Sequence, residues 1–224
     1  MLALRIGNVY TVNMSTDDNS VNIIRRNRTY HHGDLHTALI DTGLSWLATR
    51  QGEDISLREI ARLVGVSATA VYRHFPDKQA LIAALCARGE AALAVALGES
   101  AEAAGGGTAG FGASGQAYVR FALANPGLFR LMMSIRPEKG SLPDVLNDKG
   151  PAMRGFRDEI ATVLPGTAAS QQRIAAIHAW SMVHGMAMLM LDGMIPADDQ
   201  LIRSIGMSQF DAAENAVKQL GKGD

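Results

Sequence analysis

The chain has 224 residues, of which 47% are hydrophobic and only 5% aromatic, with one cysteine and a formal net charge of −1. Its single cysteine excludes an intramolecular disulfide, no run approaches the roughly 20 apolar residues of a membrane span, and Arg5 followed by Ile6-Gly7-Asn8-Val9-Tyr10 is too short and polar for a signal-peptide core, so a soluble cytoplasmic protein is expected. The near-neutral total hides a small asymmetry: residues 25–78 carry eight Lys/Arg against six Asp/Glu, and residues 79–224 carry twelve against fourteen.

Residues 1–24 show no sustained period and contain the polar run Ser15–Ser20, so residues 1–29 read as a flexible extension ending in a basic arm, Arg25-Arg26-Asn27-Arg28. From Asp34 the pattern turns helical, with Leu35, Leu39 and Trp46 on one face and Ala38 and Leu47 at its edges, ending near Gln51-Gly52. Ser56-Leu57-Arg58-Glu59 has the spacing of a capping box and opens a second helix whose stripe is Leu57, Ile60, Ala61 and Val64; Gly65 closes it. Ser67 caps a short third helix running to about His74, and Pro76-Asp77 separates it from a fourth carrying Leu81, Leu85, Ala92 and Val95. The six glycines at 105, 106, 107, 110, 112 and 115 lack a following Lys-Ser/Thr, so they are no phosphate loop and read as a linker or frayed junction. Helices are then expected over 117–124, 128–134, 152–164, 170–191 and 198–219, with a turn at Asn125-Pro126-Gly127 and a polar stretch over 136–151. No strand-type alternation occurs. The expected class is all-α, about nine helices.

Residues 56–78 form a unit with chemical meaning. A capped helix, a Gly65-Val66-Ser67 turn and a second short helix give the crossing of a helix-turn-helix, with Val66 wedged between the two helices. Val71 and Phe75 face the core, which leaves Ala68, Thr69, Ala70, Tyr72 and Arg73 as the reading surface. Small residues let the helix seat deeply in a major groove, Thr69 can meet a base edge or thymine methyl, and Arg73 can donate to guanine or phosphate. Tyr72, His74 and Lys78 can reach phosphates, as can Ser56 and Arg58 at the start of the preceding helix. The arm, Arg28 included, either tracks DNA or is a solvated tail.

These residues reach a known family. Tyr30-His31-His32-Gly33-Asp34, then Ile55 through Phe75, then Pro76-Asp77-Lys78-Gln79-Ala80-Leu81, resemble the DNA-binding domain of TetR-type (TetR/AcrR) transcriptional regulators over about 55 residues. The resemblance implies an all-helical homodimer, with a three-helix DNA-binding head at 30–90 and a C-terminal body at 91–224 that dimerises and holds a small-molecule effector. Double-stranded, near-palindromic operator DNA is the implied partner, with the protein acting as a repressor. In the C-terminal half, Tyr118–Phe129 together with Trp180 and His184-Gly185 look like the subgroup named for a Trp-His-Gly signature, although here the three are not contiguous.

Within the body, Arg120, Phe129, Met133, Trp180 and His184 are the expected ligand-lining residues. Arg120 sits in an apolar helix, where it is either buried with a partner or simply exposed. Met182, Met186, Met188, Met190 and Met194 suit core packing better than an adaptable pocket wall. The histidines lack metal-ligand spacing: His31 and His32 are adjacent, and His178 and His184 are six apart, so neither a metal nor a cofactor is expected. Cys86 reads as a buried structural thiol. No nucleophile elbow or nucleotide loop points to an enzyme. The helices at 170–191 and 198–219 are the expected dimer surface.

Overall fold

The computed structural model describes residues 35–50, 54–134 and 150–205. The N-terminal extension and arm with Arg28, the stretch over 136–149, and the expected helix beyond residue 205 lie outside them. All regular structure among the described residues is helical: α1 (Leu35–Thr49), α2 (Leu57–Val64), α3 (Ala68–Tyr72), α4 (Lys78–Ala103), α5 (Gly107–Ala124), α6 (Pro126–Ser134), α7 (Pro151–Val163), α8 (Ala169–Leu191), and helix again at 199–205.

The first three helices close on one apolar centre. Leu39, Ile60, Val71 and Leu81 are fully buried there with Trp46 and Phe75. Gly65 takes the left-handed conformation, φ 82°, that ends α2; its N–H bonds back to the Ala61 and Arg62 carbonyls, and the Val66 N–H joins at Ala61. Ser67 then caps α3 by accepting from the Ala70 N–H, and Asp77 caps α4 by accepting from the Ala80 N–H. At α2 the expected capping box is not made. Ser56 holds the cap position without a side-chain bond, and Glu59 turns instead to Arg62 at 2.9 Å, where a full charge is the stronger partner.

The glycine-rich segment is a correction. It is not a linker: residues 107–115 are the first half of α5, and Gly110, Phe111, Gly112, Ser114 and Gly115 are buried. Only Gly105, Gly106 and Gly107 have positive φ and make the turn between α4 and α5. Further on, glycine serves close approach; a Cβ at Gly110 would sit 3.0 Å from the Ala101 carbonyl oxygen of α4. Helix propensity, which disfavours glycine by about 1 kcal/mol each, is outweighed by tertiary packing. Two smaller corrections share that origin. Val95 is 55% exposed, because the buried stripe of α4 runs through Leu81, Leu85, Gly89, Leu93 and Ala96. The turn before α6 is shorter than expected, since Pro126 is already the first helical residue, where its missing N–H costs nothing.

α4 runs unbroken through residue 90 and packs against α5, α6, α7 and α1, so one apolar core extends from the first three helices into the rest of the bundle. A satellite core of Phe111, Ile160, Leu164, Ala175, Ala176 and Ala179 joins α5, α7 and α8. Contrary to the composition-based expectation, α4 and α8 are each long and apolar enough to cross a membrane by length and composition alone. A third of each apolar stretch is buried against other helices here, and α4 begins at the charged Lys78, which pairs with Asp54.

Candidate nucleic-acid interface and the aromatic cluster of the body

The short α3 divides its residues cleanly. Val71 and Phe75 are buried, as their four-residue spacing requires, while Ala68, Thr69, Tyr72 and Arg73 are exposed and Ala70 is half-buried. Tyr72 leaves 47% of its surface in water, beside exposed Thr69 and Arg73. Around this helix Arg58 is exposed, and Ser56, His74 and Lys78 are half-buried. His74 lies 6.1 Å from His36 of α1, ring centre to ring centre, and His36 stacks on Phe75 at 4.9 Å. Lys78 pairs with Asp54. Ser56 and Arg58 from α2, the α3 residues and Lys78 from α4 therefore come from three elements that share one small core, which holds them in fixed relation.

In the body, three of the five expected ligand residues meet. Trp180 and His184 stand one turn apart on α8, their rings 5.5 Å apart, and Phe129 of α6 comes within 5.9 Å of His184. Their common centre is Tyr118 of α5, which the sequence reading placed in the subgroup likeness but not in the site. The Trp180 Nε1–H donates to the Tyr118 hydroxyl at 3.2 Å, that hydroxyl lies 3.0 Å from His184 Nδ1, and Phe129 stands edge-on to the Tyr118 ring at 5.5 Å. Because indole nitrogen can only donate, the phenol accepts from it, and the phenol proton remains available to His184 Nδ1. Burial lowers the His184 pKa and raises that of the Tyr118 phenol, so the group is an uncharged relay near neutral pH.

The other two expected residues are placed differently. Arg120 donates to Asp199 at 2.9 Å and to Gln116 at 3.3 Å, tying α5 to the helix at 199–205; that hydrogen bond holds the Asp199 carboxyl below its usual range. Met133 is half-buried against the main core. Cys86 is buried, and desolvation, helped by Glu90, pushes its thiol up to about 11, the opposite of a redox-sensing thiolate.

A second polar pair escaped the sequence altogether. Buried Ser114 of α5 has its Oγ 2.9 Å from the Phe111 carbonyl and 2.7 Å from Glu159 Oε2 of α7. One hydroxyl proton cannot serve both oxygens. The hydroxyl donates either to the Glu159 carboxyl or to the carbonyl, and the bond to Glu159 favours the ionised carboxylate. Burial raises the Glu159 carboxyl to about 7, and the hydrogen bond from Ser114 opposes that rise. Ser114 and Glu159 are 45 residues apart, so no local spacing could announce them.

Two family models match. Residues 39–85 match the bacterial regulatory proteins of the tetR family, and residues 111–205 match the tetracyclin repressor-like C-terminal domain. A solved structure of a protein with unknown function from Rhodococcus sp. RHA1 is 30% identical, with a TM-score of 0.67, over 85% of this chain and 98% of that one. The chain belongs to the TetR family. Its DNA-binding helix-turn-helix and its role in transcription regulation follow from that membership. A crystal structure of a candidate regulatory protein, SCO4313, shares the TetR-type fold at 24% identity and a TM-score of 0.59, over 80% of this chain and 96% of that one. No curated protein matches. The C-terminal match is to the tetracyclin repressor-like domain as such and does not single out the Trp-His-Gly subgroup.

Proposed function

We propose that this TetR-family regulator is a cytoplasmic, homodimeric repressor that leaves a near-palindromic operator when its body, residues 91–224, binds a small-molecule effector. The head, residues 30–90, carries the DNA contacts: Thr69, Tyr72 and Arg73 at base edges and phosphates, with Ala68 and Ala70 allowing close seating, and Ser56, Arg58, His74, Lys78 and the arm residue Arg28 on the backbone. The observation that carries this reading is the outer face of α3, where an exposed tyrosine and arginine flank small residues on a helix anchored by buried Val71.

The dimer reading is supported by α8. Ile177, Ser181, Gly185 and Leu189 recur every four residues on one side; Ile177 and Leu189 are exposed, and nothing lies within 4 Å of where a Gly185 Cβ would be. A second copy of α8 can approach closely there. The effector reading is supported by the uncharged cluster of Tyr118, Trp180, His184 and Phe129, which offers an aromatic wall with a few convergent polar atoms; Arg120 and Met133 border the same helices. A gel mobility shift with the DNA upstream of the protein's own coding region tests the head. Tyr72→Ala and Arg73→Ala are each expected to weaken binding roughly tenfold or more, the scale of one lost base or phosphate contact. Wild-type affinity in both variants would refute the assignment.

A further inference from the structure

The candidate phosphate contacts differ in one respect. Arg58 and Arg73 are exposed and have no ion pair among the described residues, whereas the Lys78 ammonium is already held by the carboxylate of Asp54. Asp54 stands two residues before the Ser56 cap of α2, and Lys78 opens α4, so the pair lies between two elements of the head. The Asp54 side chain is 86% exposed. It is fully solvated without the lysine, so the pair adds little to folding. Its larger consequence arises when a phosphate arrives. An ammonium in contact with Asp54 brings any phosphate it binds to within a few ångströms of a second negative charge.

We infer that Asp54 is an intramolecular competitor for DNA, holding Lys78 in the free protein and having to yield it when a phosphate binds. The inference rests on the proposed role of Lys78 as a phosphate contact. It makes Asp54 a residue that sets affinity without touching a base. The competition is blind to sequence, because a phosphate is the same in every duplex. It also acts on salt dependence, since a lysine already neutralised by a carboxylate contributes less counterion release than a free one.

Fluorescence anisotropy tests this with two duplexes of equal length, the protein's own upstream DNA and an unrelated sequence, across a salt titration. Asp54→Asn is expected to tighten both by the same factor, about two- to fivefold at low salt. It is also expected to steepen the slope of log affinity against log salt by up to about one. Asp54→Ser serves as a second neutral variant, and thermal unfolding checks that each stays folded. In a Lys78→Ala background the gain is expected to vanish. Unchanged or weaker binding by both neutral variants would overturn the inference, showing that Asp54 positions Lys78 instead. An equal gain with and without Lys78 would overturn it as well, since any lost negative charge would then suffice. If Lys78→Ala alone leaves affinity unchanged, the Lys78 contact itself fails and the inference with it, whatever Tyr72→Ala and Arg73→Ala show.

Discussion

Glu159 is a residue whose protonation the fold itself dictates. Its raised carboxyl, against the ordinary value near 4.5, means that the folded state binds a proton more tightly than the unfolded chain. Between about pH 4.5 and 7 the native protein therefore holds more protons than the unfolded one, and stability falls as pH rises through that window. Above pH 7 the buried carboxylate must be carried ionised, with its full desolvation cost. Glu159→Gln keeps an acceptor for the Ser114 hydroxyl and removes the titration. It is expected to be more stable than wild type at pH 8 by on the order of 2 kcal/mol, one pKa step being about 1.4 kcal/mol, with little difference at pH 4.5. Chemical denaturation at the two pH values measures this, and equal stabilities at pH 8 would contradict it. The Tyr118 hydroxyl solves a similar problem in another way, accepting from Trp180 while close to His184, so that three polar groups are satisfied with no charge among them.

At the scale of elements, close contacts between helices set what can change. Gly127, in the first turn of α6, is packed so tightly on α1 that a Cβ there would meet the Leu47 carbonyl oxygen at 2.3 Å. Backbone cannot step aside as a side chain can, so Gly127→Ala must push α6 away from α1. A loss of about 1–3 kcal/mol in unfolding free energy is expected, as for overpacked cores. Gly155, within α7, has nothing within 4 Å of its would-be Cβ and no positive φ, so Gly155→Ala is expected to stabilise by about 0.4–1 kcal/mol. Melting both variants beside wild type checks the pair, and a similar shift in both would contradict the packing argument. These contacts also explain which elements were legible. α2, its glycine stop and the Ser67 cap were plain from local spacing, because their determinants lie within a few residues. The buried first half of α5 was not, because glycine there answers to Ala101 of α4 rather than to its neighbours in sequence. The site followed the same rule. Trp180 and His184 could be paired by their spacing on one helix, whereas Tyr118, on α5, joins them only through folding. Arg120, left open between burial and exposure, found its partner in Asp199, 79 residues away.

For the molecule as a whole, α4 is the element that both ends share. It starts beside the candidate DNA contacts at Lys78 and ends against α5, and α6 bridges α1 to the Tyr118 cluster through Gly127 and Phe129. A change of packing around Tyr118, Trp180 and His184 thus has a continuous path of packed helices to the head. In the proposed dimer, a small rigid-body shift of the two heads would be enough to spoil their spacing, because half-sites lie about 34–36 Å apart for each helical turn. The most direct test of the central claim, that paired α3 helices enter successive major grooves, is methylation interference on the protein's bound upstream DNA. The prediction is two clusters of interfering guanine N7 positions, one helical turn apart on the same face of the duplex and both lost in Tyr72→Ala. A single cluster, or interference confined to adenine N3 in the minor groove, would contradict it.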